Sequence, residues 1–241
     1  MNKIFWISIS IFIVMGMNAA VLPDSLIPPN MSAQKTPTAT PIPDPLQVPQ
    51  KYLDGISVEK ADDFSTGQNW NICNQNCLIK DGILSVTGKT FWSSGSEWKS
   101  RLKEGEGVII QYKFSPNPEM ELYLDHDTWM KDDYRRFGVY QAGGPRANLF
   151  KGKNYLGGGA LSGNFSPLPN TWYSLLIGVA KGGDFIALIW DPQSPNKVVR
   201  YREVLGKSWS NLLWKFSINA NKGSIDFDNF QQLSFDGIKK K

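Results

Sequence analysis

The sequence predicts an all-β fold, an antiparallel β-sandwich or jelly roll of about a dozen short strands. First, apolar and polar residues alternate with a period of two in short runs, which Gly, Pro, Asn and Asp residues separate. Second, no run shows the 3.6-residue period of an amphipathic helix. Third, a hydrophobic fraction of 41% with nine Trp, eight Tyr and thirteen Phe supplies a large core. Many short strands joined by short loops are typical of sandwiches and jelly rolls.

The N-terminus has the plan of a targeting segment. Lys3 precedes an apolar run over residues 4–17, and small residues follow at 19–20. A charged start, a short apolar stretch and small residues predict a signal peptide over residues 1–20. An uncleaved membrane anchor is the alternative, because residues 4–22 approach the length of a bilayer span. Both hypotheses place the remaining chain outside the cytoplasm, secreted or attached to the cell surface, with membrane contact only through an uncleaved N-terminus.

Composition then divides the rest of the chain. Residues 21–50 hold eight of the fifteen prolines, which predicts a disordered Pro/Thr-rich linker. The folded domain is expected over residues 51–237, and residues 238–241 form a basic tail. The formal net charge is +4 with scattered basic residues, whereas a nucleic-acid-binding protein concentrates them on one face. We therefore expect no nucleic-acid partner.

The turn residues predict where the strands meet. One hairpin is expected around Asp81-Gly82, and a second around residues 181–184. The segment LWKFSINANKGSIDFDNFQQLSF is predicted to be a closing hairpin that reverses at Asn221-Lys222-Gly223.

The stretch 120–140 is the centre of the functional argument, because it predicts two strands with one apolar and one polar face. Apolar side chains at 122, 124, 137 and 139 alternate with polar and aromatic ones. The polar set is Glu121, Tyr123, Asp125, Arg136 and Tyr140. Carboxylates, an arginine and tyrosines suit a hydroxyl-rich ligand if this face lines a groove.

The order of motifs resembles the concanavalin A-like lectin/glucanase superfamily, and within it the laminin-G-like and DUF1080 (3-keto-disaccharide hydrolase) domains. The motifs are DDFS, NW, DGILSVTG, YRRFGVY, TWYSLLIGVAKGG with FIALIWDP, and IDFDNF, and the resemblance covers roughly residues 58–236. It implies a jelly roll. The superfamily contains sugar-binding modules, glycoside hydrolases and adhesion domains, so fold alone does not choose among them.

The first hypothesis is a non-catalytic carbohydrate-binding module with a polysaccharide or glycan partner. Sugars stack on aromatic rings while polar groups hold their hydroxyls. The candidate residues are Trp98, Tyr123, Asp125, Trp129, Arg136 and Tyr140, with Trp92 and Trp209 as weaker candidates. Trp70, Trp172 and Trp214 lie in apolar contexts and are expected in the core. Arg136 has an alternative role, an ion pair with Asp132 or Asp133.

The second hypothesis is a glycoside hydrolase with Glu121 or Asp125 as the catalytic acid or base. Four strand residues separate them by about 13 Å, which exceeds the about 5–9.5 Å of catalytic pairs. The glucanase branch carries Glu-x-Asp-x-x-Glu, and EMELYLDHD does not match it. His126, the only histidine, is expected at a strand end. The main expectation is therefore that no residue is catalytic. A third hypothesis is an extracellular adhesion domain that binds protein.

Two further features concern stabilisation. Cys73 and Cys77 are the only cysteines, and outside the cytoplasm such a pair predicts a disulfide that clips one loop. No cofactor is required. The resemblance implies a structural calcium ion that joins the first and last strands, and Asp63, Asp226 and Asp228 would be its ligands here. Edge-strand and turn carboxylates are the alternative interpretation of these residues.

Overall fold

The computed structural model describes residues 44–73, 75–88, 94–128 and 131–240. The predicted signal segment and residues 21–43 of the predicted linker lie outside these ranges. In the described part of the chain, no helix has the length and hydropathy needed to cross a membrane.

The described residues form seventeen β-strands and two short 3-10 helices, which confirms the predicted all-β class. In chain order the strands are β1 (Leu53–Asp54), β2 (Ser57–Asp62), β3 (Trp70–Asn71), β4 (Cys77–Lys80), β5 (Ile83–Gly88), β6 (Ser94–Leu102), β7 (Glu106–Phe114), β8 (Glu119–His126), β9 (Arg135–Gln141), β10 (Pro145–Lys151), β11 (Asn154–Gly157), β12 (Ser162–Gly163), β13 (Tyr173–Ala180), β14 (Asp184–Asp191), β15 (Ser194–Val204), β16 (Trp214–Ser234) and β17 (Gly237–Ile238). The helices are Pro49–Lys51 and Lys207–Trp209.

Two antiparallel sheets share the long strand β16. In sheet I the order is β4-β5-β16-β7-β13-β14-β15-β12, and β2 also pairs with the end of β16. In sheet II the order is β3-β6-β16-β8-β9-β10-β11. The short strands β1 and β17 form a separate ribbon. A strand that passes from one sheet to the other joins the two layers, as expected for a jelly roll.

The predicted closing hairpin at residues 221–223 is wrong, because β16 continues through it. Its register against β8 shifts between Ala220 and Lys222. The register shift is a β-bulge, which bends a strand without reversing it. Gly223 follows with a φ of 78°, a backbone conformation that glycine adopts without strain. The same Asn-Lys-Gly residues therefore move the strand from sheet II to sheet I.

The two local hairpins are confirmed. Asp81 and Gly82 have φ angles of 52° and 75° between β4 and β5. Positive φ at both central residues is the requirement of the two-residue turn that matches strand twist. Gly182 and Gly183 likewise have φ angles of 80° and 72° between β13 and β14.

The main core lies between the two sheets. Phe137 of β9 lies 5.0 Å from Phe185 of β14, and Phe185 lies 5.1 Å from Trp214 of β16, measured between ring centroids. These contacts connect the inner faces of sheet II and sheet I. Trp70 and Trp214 belong to this core, as predicted. Trp172 differs, because it is only half-buried and Lys113 lies over its ring at 5.0 Å.

A second apolar cluster covers the outer face of sheet I. Val48 and Leu53 pack there against residues of β7, β13 and β14, and Phe235 joins them from the chain end. Sheet I is therefore buried on both faces, which explains why every residue of β13 is buried. Contacts with the sheets extend beyond the predicted 51–237 boundaries: Leu46 and Val48 pack on sheet I, and Ile238 pairs with Leu53.

Candidate functional site

The outer face of sheet II carries the polar residues, in rows that cross β16, β8 and β9. Strand pairing places Tyr123 between Ser217 and Gly138. The row on one side is Lys215, Asp125 and Arg136, and the row on the other is Asn219, Glu121 and Tyr140. The predicted clustering of Tyr123, Asp125, Arg136 and Tyr140 on one face agrees with this register.

Glu121 and Arg136 form a buried ion pair on this face. Arg136 Nη1 donates to Glu121 Oε2 at 2.9 Å, and the Glu121 side chain is only 1% exposed. Burial raises the pKa of Glu121, and the guanidinium of Arg136 opposes that shift. Arg136 also lies 3.9 Å from the centroid of the Tyr123 ring. The pair is closed to solvent and holds the Tyr123 ring in place.

Gly138 makes room for this arrangement. A Cβ atom at this position would lie 2.6 Å from Glu121 Oε1 and 2.8 Å from the Cβ of Tyr123. Both side chains therefore lean over the glycine backbone. Any side chain at residue 138 would displace them.

Asp125 and Glu97 share a lysine. Lys215 Nζ lies 2.7 Å from Glu97 Oε1 and 3.7 Å from Asp125 Oδ1. Burial raises the pKa of Asp125 to about 6, although Lys215 and Arg136 act in the opposite direction. The Glu97 side chain is 39% exposed, whereas that of Asp125 is 8% exposed. One carboxylate thus faces solvent and the other lies beneath the ammonium group.

A cavity of about 230 Å³ opens on the same face beside Glu97. Glu97, Tyr123 and Asn219 line it from three neighbouring strands, and Cys73 of the disulfide loop forms part of its wall. The Asn219 amide donates to the Tyr123 hydroxyl at 3.1 Å. The other lining residues are Asn71, Ile72, Gly95, Ser96, Ser217 and Ile218. The cavity thus combines amide, carboxylate and hydroxyl groups with a small apolar wall.

Two structural details shape this cavity. A Cβ atom at Gly95 would overlap Asn219 Oδ1, so the glycine leaves space for the amide. The predicted disulfide is present between Cys73 and Cys77, with the Cα atoms 5.4 Å apart. It holds the loop that carries Cys73 against the cavity.

Other predicted binding residues lie elsewhere. Trp98 is 3% exposed and packs in the core, 4.4 Å from Phe230 between ring centroids, because its position on β6 faces the opposite sheet. Its indole donates to Gln232 at 3.1 Å, so it is not a sugar platform. Trp209 is also buried in the core. Trp92 and Trp129 lie outside the described residues. Arg136 pairs with Glu121, and among the described residues no ion pair joins it to Asp132 or Asp133.

The three aspartates predicted to bind calcium do not form a ligand set in the described part of the chain. Asp226 pairs with Lys113 at 3.0 Å and accepts a hydrogen bond from Ser85. Burial raises the pKa of Asp228, and nearby Asp63 raises it further. Among the described residues, no group of three or more His, Cys, Asp or Glu side chains has a metal-binding arrangement.

The sequence-based prediction did not include Glu97, Ser217 or Asn219. They come from β6 and β16, whose pairing with β8 joins residues far apart in the chain. A local signal was present: Lys215, Ser217 and Asn219 alternate with Phe216 and Ile218. This alternation indicates a second polar strand face, but it does not identify the neighbouring strand.

Comparison with known proteins supports the fold. Neither known protein families nor curated proteins match the chain. Three similar solved structures illustrate the match. A non-specific endo-β-1,3(4)-glucanase, SCLam of family GH16, has a TM-score of 0.56 at 7% identity, covering 76% of this chain and 93% of its own. A laminarinase from Flavobacterium sp. UMI-01 has a TM-score of 0.52 at 11% identity, and the match covers 75% of this chain and 100% of the laminarinase chain. The CBM2 module of the evolved Dit of Lactobacillus casei BL23 phage J-1 has a TM-score of 0.52 at 7% identity, and the match covers 78% of this chain and 99% of the module. The chain therefore has the concanavalin A-like jelly-roll fold.

Proposed function

We propose that this chain is a carbohydrate-active protein that holds a polysaccharide on the outer face of sheet II. The cavity between Glu97, Tyr123 and Asn219 is the observation that carries the proposal. Its lining offers donors and acceptors for hydroxyl groups, and Ile72 offers an apolar contact for a sugar C–H face. At about 230 Å³ it is smaller than the ~300–1,000 Å³ of most ligand pockets, so it would take one sugar unit or branch of a longer chain.

The setting proposed for this activity is outside the cytoplasm. The disulfide beside the cavity supports this setting, since such bonds persist mainly in oxidising compartments. The predicted signal segment agrees with it. In this proposal the membrane is contacted only if residues 1–20 remain attached.

Affinity electrophoresis tests the binding. The full chain is run through gels that contain laminarin, mixed-linkage β-glucan or mucin, which follow the substrates named for similar structures. We expect retardation by at least one of them. The Asn219→Ala and Glu97→Ala variants should bind about tenfold more weakly, because each removes a hydrogen-bonding group worth about 1.4 kcal/mol. Asn154→Ala, on the exposed strand β11, is the matched control and should bind as the wild type does.

The outcomes are distinct. Loss of retardation in Asn219→Ala with retention in Asn154→Ala supports the cavity as the site. Mobility unchanged by every polysaccharide, or equal retardation of Asn219→Ala and the wild type, would contradict it.

Glycoside hydrolysis is the second candidate, and the similar structures favour it over binding alone, because most with a stated activity are glycan-degrading enzymes. Asp125, with a pKa of about 6, would act as the general acid, and Glu97 as its partner. Both carboxylates contact Lys215, which is compatible with the about 5–5.5 Å separation of a retaining pair. Glu121 is less suitable because Arg136 closes it off.

An assay for released reducing ends, with a polysaccharide that retards the chain as substrate, distinguishes hydrolysis from binding alone. Hydrolysis predicts release at pH 5 that declines above about pH 6, as Asp125 loses its proton. The Asp125→Asn variant should then lose activity while keeping its affinity. Retardation without any release of reducing ends would leave a binding module and exclude Asp125 as a catalytic acid.

A further inference from the structure

A second groove lies on the outer side of sheet I, away from the cavity on sheet II. Two adjoining cavities of about 400 and 410 Å³ share Tyr52, Ser162 and Arg200 in their linings. Arg200 pairs in register with Leu188, whose side chain belongs to the outer apolar cluster of sheet I. The groove therefore runs between the edge of β12 and β15 and the segment that carries Tyr52.

All charged side chains that line the groove among the described residues are basic: Lys51, Arg200, Arg202 and Lys239. Arg202 forms an ion pair with Asp184, with 2.6 Å between Arg202 Nη2 and Asp184 Oδ2. Lys239 Nζ lies 3.6 Å from Asp54 Oδ1. Within the described part of the chain, Lys51 and Arg200 make no ion pair. Two uncompensated positive charges thus face a groove that no described carboxylate lines.

Arg200 lies close to an aromatic ring. Its guanidinium lies 5.7 Å from the centroid of the Tyr52 ring. A cation–π contact of this kind leaves the N–H donors of the guanidinium available to a carboxylate or sulfate group. The ring itself offers an apolar surface beside the charge.

Asn164 fixes one part of the remaining wall, which also includes apolar residues such as Val198 and Ile186. Asn164 Nδ2 donates to the carbonyl of Asn196 at 2.8 Å, and Asn164 Oδ1 accepts from the Val198 amide at 2.9 Å. These bonds tie the loop before β13 to β15. Ser162 adds a hydroxyl group next to Arg200. The groove therefore combines anion-binding, aromatic and hydroxyl-binding groups.

We propose that this groove binds an acidic polysaccharide, with Arg200 and Lys51 contacting the anionic group of a sugar and Tyr52 contacting its ring. The site is separate from the cavity beside Glu97. It would bind an acidic chain whether or not the sheet II cavity binds or cleaves a neutral one.

The test compares polygalacturonate with its methyl ester in affinity electrophoresis of the full chain. Both polymers have the same backbone, and only the first carries carboxylates. We expect retardation by polygalacturonate and at least about tenfold weaker retardation by the ester, because the arginine–carboxylate contact is lost. Equal retardation by both polymers would overturn the proposal.

Variants locate the site. Arg200→Gln should weaken polygalacturonate binding about tenfold, and Arg200→Lys should weaken it less, because the charge remains while the fork is lost. Lys153→Gln removes one exposed positive charge from the β10–β11 turn and should bind as the wild type does. Asn219→Ala, in the other cavity, should also leave this binding unchanged. Equal loss in Arg200→Gln and Lys153→Gln would contradict the proposal.

Single-stranded DNA serves as a polyanion without acidic sugar rings. Retardation by DNA equal to that by polygalacturonate would overturn the assignment of a saccharide. Weaker retardation by DNA at equal ionic strength would support it.

Discussion

At the scale of single residues, Arg136 organises the polar face. The sequence suggested it as a ligand-binding side chain, but the structure buries it between Glu121 and the Tyr123 ring. A buried charge is costly unless it is paired, so neither member of the pair can be removed alone without a large penalty. In the proposed site, Arg136 would therefore position Tyr123 and would not contact the sugar itself.

The buried pair predicts a large, recoverable loss of stability. Arg136→Met should lower the free energy of unfolding by about 3–5 kcal/mol, because the buried Glu121 carboxylate loses its paired cation. Adding Glu121→Gln should restore much of the loss. The measurement is urea unfolding followed by tryptophan fluorescence.

The matched control is Arg202→Met, which breaks a pair whose arginine side chain is 38% exposed. It should cost no more than about 1 kcal/mol. Equal losses in Arg136→Met and Arg202→Met would show that the first pair is not effectively buried.

Asp125 predicts a pH-dependent difference in stability. Its pKa of about 6 in the folded chain lies above the ordinary value of 3.8, so the folded state holds the proton more tightly. This contribution is fully present below pH 3.8 and is lost as the pH rises through about 6. The stability of the wild type relative to Asp125→Asn should therefore fall by about 2 kcal/mol between pH 4 and pH 7.

Urea unfolding at the two pH values measures this difference. Asn154→Ala should show no comparable change relative to the wild type. A wild-type advantage over Asp125→Asn that grows with pH would mean that the Asp125 pKa is lowered in the folded chain.

The alternation of polar and apolar residues correctly predicted which sheet face these residues occupy, but it did not predict how deeply they are buried. Tyr123, Asp125 and Arg136 lie on one face because a strand has a period of two. Their burial depends on neighbouring strands and loops that alternation does not describe. Trp98 shows the same limit: an aromatic residue on a strand suits a platform or a core, and only the position of sheet I identifies it as core.

At the scale of elements, β16 determines how the two sheets join. Local turn chemistry correctly predicted the hairpins at Asp81-Gly82 and Gly182-Gly183. It failed at Gly223, because a bulge and a turn both use glycine with positive φ. Pairing of β16 with β5 and β7 beyond the bulge decides the outcome, and these partners are distant in sequence.

The crossing of β16 depends on close contact with Gly88. A Cβ atom at Gly88 would lie 2.5 Å from the Asn221 carbonyl carbon and from the Lys222 nitrogen. Backbone atoms yield less easily than side chains, so Gly88→Ala should lower the free energy of unfolding by about 2 kcal/mol. Chemical denaturation measures the change.

Gly237→Ala is the control, since a Cβ there meets nothing within 4 Å. It should change stability by less than about 0.5 kcal/mol. Equal stability of the two variants would mean that β5 and the β16 bulge are not closely packed.

At the scale of the whole molecule, the sandwich has two chemically different outer faces. Segments near both ends of the described chain cover sheet I, whereas the outer face of sheet II presents polar groups and the cavity. The proline-rich composition before residue 51 did not predict that this segment packs on sheet I. Prolines flank Val48, and its burial results from contact with sheet I rather than from local propensity.

Because the segment around Val48 packs on sheet I, the stability cost of introducing a charge there should depend strongly on the position of the substituted residue. Val48→Asp should lower the free energy of unfolding by at least about 3 kcal/mol, because Val48 is 1% exposed against sheet I. Val58→Asp, at a residue that is 42% exposed, should cost less than about 1 kcal/mol. Thermal unfolding of both variants is the check, and equal midpoints would contradict a packed cover.

A crystal structure of the full chain with an oligosaccharide from the polysaccharide that retards it most tests the central claim directly. We predict a sugar unit in the cavity on sheet II, with hydroxyl groups within hydrogen-bonding distance of Glu97 and Asn219. A saccharide bound elsewhere on the molecule, with that cavity empty, would contradict it.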